Sequence, residues 1–308
     1  MPASLEDLRP RRLDEMVGQE QALAVLKGLV AQARNGLPLP NLLFSGQFGT
    51  GKTTAAYALA REVLGEHWEE NFRELDTSGD RGLDVVRNEV IPWLGRMPAY
   101  GAPFKILFLD EADYLTQPAQ AALRRVMETE TDVTRFILAC NTPTQIIGAI
   151  HSRCLPVRFR PLTPDEVRTL VLRTAERLAL HPSEQTVESI VRHSRGQARD
   201  AVQALVGGES ATASNWERLD AEVVHLFTPN GVSRDARIAA FIEFLRAEGW
   251  TEWGELLYTL DQVVAEKAIP TLHGYDHFIT EASTSAYRCK LVDLPMFEVK
   301  AMLHRVVP

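Results

Sequence analysis

A chain of 308 residues is long enough for two or three domains, each with its own core, and its 45% hydrophobic and 24% charged residues are the proportions of an ordinary soluble globular protein. A formal net charge of −8 excludes a general, charge-driven affinity for nucleic acid, so any DNA contact needs a local basic surface. Cys140, Cys154 and Cys289 are odd in number, widely spaced and form no C-x-x-C pair, which excludes a disulfide framework and a four-cysteine zinc module and leaves buried or idle thiols.

In chain order, Met1-Pro2-Ala3-Ser4-Leu5-Glu6-Asp7 carries no basic stretch followed by an apolar one, and nowhere do about 18 apolar residues run together. The expectation is an intracellular, cytoplasmic protein (nuclear in a eukaryote) without membrane association. Residues 8–19 read as a basic leading loop before a surface helix, in which Ala22, Val25, Leu26 and Leu29 recur at helical spacing. Leu37-Pro38-Leu39-Pro40 ends that helix and leads into the first core strand at Leu42-Leu43-Phe44.

The next residues, Gly46-Gln47-Phe48-Gly49-Thr50-Gly51-Lys52-Thr53, fit G-x-x-x-x-G-K-[ST]. A chain that turns sharply from a buried strand into a helix presents free backbone N–H groups at the helix start, where the helix dipole also favours negative charge. Gly49 and Gly51 would let the backbone close around a β-phosphate, Lys52 would reach the β- and γ-phosphates, and the Thr53 hydroxyl would hold Mg²⁺. Ala55, Ala56, Leu59, Ala60 and Val63 continue as an amphipathic helix, the context that the motif requires.

Residues 72–76 read as a second strand, followed by a turn over 77–82, a helix from about Leu83 carrying Val86, Val90 and Ile91-Pro92-Trp93-Leu94, and a loop over 95–103. Lys105-Ile106-Leu107-Phe108-Leu109 is a continuous run suited to a central parallel strand, and it ends in Asp110-Glu111-Ala112-Asp113. Carboxylates at the carboxyl end of such a strand sit where open α/β sheets bind ligands. Asp110 could orient a hydrated Mg²⁺ and Glu111 could polarise the water that attacks the γ-phosphate, whereas Asp113 reads better as part of an acidic turn or helix cap. Residues 135–141 form another buried strand; Asn141 is either an ordinary strand terminus or an amide that touches the γ-phosphate or the attacking water. Residues 155–159 look like a fifth strand, and Arg153 just before it has, by spacing alone, only the reading of a solvent-facing charge.

Thr163-Pro164-Asp165-Glu166 is a capping box with proline at the first helical position. It opens a small helical bundle whose apolar faces are Val167, Leu170, Val171 and Leu178, then Val187, Ile190 and Val191, then Ala198, Ala201, Val202 and Leu205. Residues 207–214 are linker-like. Beyond Gly231 the pattern is helical, with one stripe at Ile238, Phe241, Ile242 and Leu245 and another at Trp253, Leu256, Leu257, Leu260 and Val264. Such faces suit an oligomerisation element.

With these motifs placed, the chain resembles AAA+ ATPases of the clamp-loader group, most of all the replication factor C small-subunit family and its archaeal and phage counterparts. The residues that carry the resemblance are Arg9-Pro10, Val17-Gly18-Gln19, the phosphate loop, residues 81–88, Leu109-Asp110-Glu111-Ala112-Asp113, residues 121–128 and 135–141, Ser152-Arg153-Cys154 and Gly196-Gln197-Ala198-Arg199. It is dense over residues 8–205; beyond about 226 only the helical character agrees. It implies an α/β fold: an AAA+ P-loop domain with a parallel five-stranded sheet (1–161), a small helical lid domain (162–226) and a C-terminal all-helical collar domain (227–308). It also implies the cofactors ATP and Mg²⁺, with Thr53 and Asp110 at the metal and Val17, Gly46, Gly49, Thr50, Gly51, Lys52, Thr53, Thr54 and Arg199 at the nucleotide. Catalysis falls to Lys52, Glu111, Asn141 as first sensor, and Arg153 as an arginine finger acting on the neighbouring subunit's nucleotide.

Arg81 and Arg87 match positions that track duplex phosphates, and Ile91, Pro92, Trp93 and Leu94 lie where relatives touch the sliding clamp, with plain core packing the competing reading. The implied partners are other clamp-loader subunits in a ring or spiral, a pentamer in the family, together with the clamp and primer-template DNA. Gln197-Ala198 stands where relatives often have an acidic residue and methionine, which bears on the role of Arg199. The rival readings are another DNA-associated AAA+ motor of the Holliday-junction or helicase-loading kind, a P-loop kinase of a small molecule, and a scaffold subunit that binds nucleotide without hydrolysing it.

Overall fold

Five short segments rich in leucine, isoleucine, valine and phenylalanine form one parallel sheet: β1 Leu42–Ser45, β2 Phe72–Asp76, β3 Lys105–Asp110, β4 Thr134–Cys140 and β5 Leu155–Arg158. Their order is β2-β3-β4-β1-β5, with each neighbouring pair parallel. A computed structural model describes residues 6–77, 86–129, 133–207, 221–223, 225–227, 231–247 and 303. The chain divides into two compact units, Met1–Gly208 and Glu209–Pro308.

The sheet separates two cores because side chains alternate along each strand. Ile106, Phe108, Ile137 and Ala139 join Leu42 and Phe44 on one face. Leu107, Leu109, Phe136, Leu138 and Cys140 join Leu43 on the other. The first face is covered by α1 (Glu20–Arg34) and α2 (Lys52–Leu64), with the short α3 (Trp68–Asn71) beside them. The expected helix after the leading loop is therefore present, but its buried stripe is Ala22, Leu23, Leu26, Leu29 and Val30. Val25 is 40% exposed, because the helix turns it away from the sheet. Each of the larger side chains in that stripe contributes about 1.5–3 kcal/mol through burial.

The second face is covered by α4 (Ile91–Leu94) and α5 (Gln117–Thr129), with Leu94, Ala119, Leu123 and Met127 buried. Where a regular helix was expected from about Leu83, residues 83–85 lie outside the described residues. Val86–Val90 is a wide π-type turn that feeds α4 and buries Val86 and Val90. The loop expected over 95–103 contains one short 3₁₀ turn, Ala99–Gly101. Lys105 does not end in solvent: it is 2% exposed, and its ammonium donates to the carbonyls of Trp93 (2.8 Å), Leu94 (2.9 Å) and Arg96, closing the carboxyl end of α4. Trp93 and Leu94 are thereby core, whereas Ile91 is 48% exposed and Pro92 beside it is also exposed.

After the short helix α6 (Gly148–His151) and β5, the chain enters a three-helix bundle: α7 (Pro164–Arg177), α8 (Glu184–His193) and α9 (Ala198–Gly207). The capping box at Thr163 forms both of its hydrogen bonds. Leu162, Val167, Val171, Val187, Ile190, Ala201 and Leu205 make the bundle's core.

In the second unit, α10 (Arg234–Ala247) buries Ile238, Phe241, Ile242 and Leu245, as their spacing predicts. Arg237 on the same helix is 9% exposed and donates to the Leu226 carbonyl. The second stripe, Trp253 to Val264, and Cys289 lie outside the described residues, as does most of the linker-like stretch. Cys140 and Cys154 are free, buried thiols, and burial pushes each up to about 12. Among the described residues no helix is long and apolar enough to cross a membrane.

Candidate active site

Strand register places the site. Ser45 pairs with Cys140, and the Gly46 amide extends that ladder to the Cys140 carbonyl at 3.3 Å, so the chain leaves β1 beside Asn141 at the end of β4. Only glycine serves at the exit: Gly46 has φ +155°, and a Cβ there would lie 2.3 Å from the Phe159 carbonyl oxygen. The loop then turns into α2, whose first turn leaves backbone N–H groups without helical partners.

Lys52, 7% exposed, is folded into this loop. Its ammonium donates to the carbonyls of Gly46 and Gln47, both at 2.8 Å, and to Asn141 Oδ1 at 2.7 Å. Burial lowers its pKa, opposed chiefly by the Asp110 carboxylate. The Thr50 hydroxyl donates to the Gln47 carbonyl at 2.7 Å, and Thr54 is half-buried in the first turn of α2. Thr53 Oγ1 donates to Asp110 Oδ2 at 2.6 Å, and Asp110 Oδ1 accepts from the Glu111 amide at 2.9 Å. A hydroxyl and a carboxylate side by side, at the mouth of a loop rich in free N–H groups, are the hard oxygen donors that Mg²⁺ with a phosphate chain takes. The residues present fit the pair ATP and Mg²⁺.

Glu111 follows in a left-handed conformation, φ +55°, uncommon outside glycine and costing about 1–3 kcal/mol. Thr77, fully buried at the end of β2, holds it there. The Thr77 hydroxyl lies 2.9 Å from the Asp110 carbonyl and 2.8 Å from that of Glu111, and its amide donates to the Asp110 carbonyl at 3.2 Å. In sequence Thr77 looked like the start of a turn and nothing in its spacing marked it. Asp113 is 5% exposed and accepts from the amides of Asn141 (3.3 Å) and Thr142 (2.9 Å). It is neither a solvated turn nor the cap of its own helix: it is buried and caps the backbone that leaves β4 and carries Asn141, because the fold brings that strand end against it.

Two further contacts fasten the loop. Gln19, 2% exposed, donates from its amide nitrogen to the carbonyls of Thr50 (3.1 Å) and Arg160 (2.6 Å) and accepts from the Arg160 amide (3.1 Å). Val17, two residues earlier, is half-buried. At the start of α9, the amides of Ala198 (2.8 Å) and Arg199 (3.4 Å) donate to the Gly49 carbonyl, so the bundle sits directly on the phosphate loop. The Arg199 residue is exposed on that first turn.

Lys52, Thr53, Asp110, Glu111 and Asn141 are thus gathered in one place. Arg153 is not among them. It follows α6, its side chain is 34% exposed, and it forms an ion pair with Glu128 of α5 while donating to the Ala149 carbonyl (2.7 Å) and Ser152 Oγ (3.1 Å). Arg87 is exposed on the wide turn before α4, and Arg81 lies outside the described residues.

The family model for ATPases associated with various cellular activities (AAA) matches residues 42–162, which hold the sheet and Lys52, Thr53, Asp110, Glu111, Asn141 and Arg153. The replication factor C small subunit of Archaeoglobus fulgidus is 41% identical over 253 residues, which cover 82% of this chain and 76% of that protein. That of Methanoregula boonei is 44% identical over 226 residues, covering 73% and 68%. The chain belongs to the replication factor C small-subunit family. As a member of that family it is an AAA+ ATP hydrolase of the sliding-clamp-loader group. The Thermotoga maritima RuvB Holliday junction branch migration motor superposes with a TM-score of 0.56 over 84% of this chain and 80% of that one. At 19% identity that likeness is one of fold alone, and the replication factor C relation is the stronger.

Proposed function

We propose that this subunit binds ATP with Mg²⁺ on the phosphate loop and completes its catalytic site only when Arg153 of an adjacent subunit reaches the γ-phosphate. The observation that carries this reading is the partition of the machinery. One chain gathers Lys52, Thr53, Asp110, Glu111 and Asn141, while its Arg153 is bonded elsewhere, to Glu128 and Ala149. Mg²⁺ held by Thr53 and Asp110 would neutralise charge on the phosphate oxygens.

The chain's own residues do the rest. Phosphate oxygens compete with Gly46, Gln47 and Asn141 for the three protons of Lys52, so binding frees the Asn141 amide to sense the γ-phosphate. Glu111 orients and deprotonates the attacking water, and Thr77 keeps its backbone in place. Gly49 contacts the first turn of α9, so a change in the loop is felt by the bundle, which acts as the lid with Arg199 on its leading turn. In this proposal residues 1–161, 162–226 and 227–308 serve as ATPase domain, lid and collar of a pentameric spiral. Arg81 and Arg87 face duplex phosphates, and the exposed Ile91 and Pro92, rather than the buried Trp93 and Leu94, meet the clamp. ATP binding would draw subunits into a spiral that opens the clamp; DNA would align the interfaces, and hydrolysis would release the closed ring.

Steady-state ATP hydrolysis by the purified chain, alone and with its companion subunits, clamp and primed DNA, tests this. Stimulation by clamp plus DNA is expected, with loss of about 10³-fold or more in Arg153→Ala. Equal rates in every mixture would remove the clamp-loading cycle and leave a P-loop ATPase of another purpose.

A further inference from the structure

We propose that Glu128 is the positioning residue for Arg153: it holds the guanidinium in the orientation in which the neighbouring subunit's nucleotide meets it. The inference rests on the reading of Arg153 as a trans-acting arginine. Glu128 is the next-to-last residue of α5, and its carboxylate takes one nitrogen of Arg153, Nη2. The other terminal nitrogen, Nη1, donates to the Ala149 carbonyl at 2.7 Å and to Ser152 Oγ at 3.1 Å. Three of the five N–H donors of the guanidinium are therefore engaged, and two remain for a phosphate.

Both ends of the pair are anchored in the same core. Leu123 and Met127, fully or almost fully buried, fix the face of α5 opposite Glu128, while Ile150 and Cys154, on either side of Arg153, are buried in the same cluster. Glu128 is in turn approached by Arg124 one turn earlier, 3.8 Å from its carboxylate. The three side chains sum to one net positive charge, so the carboxylate that steers the arginine does not cancel its attraction for an anion.

A positioning role fits better than a contact that merely sequesters the finger. The ion pair uses one guanidinium nitrogen, not the two-nitrogen fork that binds a carboxylate most tightly. An arginine with a third of its side chain exposed and no such support samples many rotamers, and each docking onto a phosphate would have to order it afresh.

The test uses the full chain assembled with its companion subunits, clamp and primed DNA, comparing wild type, Glu128→Ala, Glu128→Gln, Arg153→Ala and the double variant Glu128→Ala/Arg153→Ala. Stimulated kcat, KM for ATP, elution of the assembly on gel filtration and the melting temperature of each chain are measured. Expected is a drop in kcat of about 10- to 100-fold for Glu128→Ala, with unchanged KM, assembly and melting temperature. Glu128→Gln, which keeps an acceptor oxygen, should fall between it and wild type. The double variant should be no slower than Arg153→Ala, because the two residues act through one contact.

A wild-type rate in Glu128→Ala and Glu128→Gln beside an inactive Arg153→Ala would overturn the positioning role and leave the trans arginine standing. A faster Glu128→Ala would overturn it in favour of a sequestering contact, and a loss that tracks failed assembly would reduce Glu128 to an interface residue. A wild-type rate in Arg153→Ala would remove the trans-arginine reading and this one with it.

Discussion

Lys52 makes three hydrogen bonds inside the protein, and one of them, to Asn141, joins the phosphate loop to the neighbouring strand. Removing the ammonium therefore does more than delete a phosphate ligand: Lys52→Ala should abolish nucleotide binding in a fluorescent-ATP titration and also loosen the loop. Glu111→Gln keeps the side chain's shape and discards its basicity. It should retain ATP affinity while lowering turnover by about 10²- to 10⁴-fold in a single-turnover assay, and unchanged turnover would favour the scaffold reading. Thr77→Val tests the support beneath Glu111. Two carbonyls lose their hydroxyl donor, so a urea melt should show a loss of about 1–2 kcal/mol. Turnover should fall with KM for ATP unchanged, because the strained backbone at Glu111 relaxes without touching the phosphate loop.

Between elements, the joint from the sheet to the helical bundle is made by Arg160, Gly196 and Glu166. Arg160 donates to both carboxylate oxygens of Glu166, at 2.7 and 2.6 Å, and to Glu20 at 3.0 Å. The guanidinium holds Glu166 down at about 2, below its ordinary 4.5. A carboxylate whose folded pKa is depressed contributes stability that is fully present above the unfolded value and is lost as pH falls through the folded one. The melting temperature of the wild type should therefore drop between pH 4.5 and about 2 more steeply than that of Glu166→Gln. Gly196, at φ +80°, leaves no room for a side chain: a Cβ would lie 2.5 Å from the Leu162 carbonyl oxygen. Gly196→Ala is expected to lose about 1–3 kcal/mol in chemical denaturation and to disturb the contact between α9 and Gly49.

At the scale of the molecule, the strand order sets β4 between β1 and β3. The phosphate loop, Asn141 and the Asp110-Glu111 pair consequently lie at the carboxyl ends of three adjacent strands. Arg153, one strand further on, is carried on a different element and bonded to α5. A subunit built in this way should hydrolyse ATP slowly by itself. Mixing Glu111→Gln chains with Arg153→Ala chains should restore a fraction of the assembled rate in a steady-state assay, because some interfaces then combine an intact Glu111 with an intact Arg153.

The sequence by itself determined the five strands, the helices on either side of the phosphate loop, those of the bundle, and the residues of the phosphate loop. All five strands were legible, β1, β3 and β4 most plainly because strands buried on both faces read as apolar runs, and the phosphate loop was legible because its glycines and lysine sit in one short segment whose local geometry is dictated by those residues. The bundle helices were announced by a capping box and a 3.6-residue apolar period. What the tertiary structure decided lies between residues distant in the chain. It turned Val25 to the surface, buried Lys105 as the cap of α4, divided Ile91 and Pro92 from Trp93 and Leu94, and gave Gln19, Thr77 and Asp113 their partners. It also placed Glu128 against Arg153. A hydrogen bond or ion pair across the fold leaves no periodicity and no local motif in the chain, since each partner taken alone is a polar residue with many acceptable environments. Only the packing of the elements chooses among them.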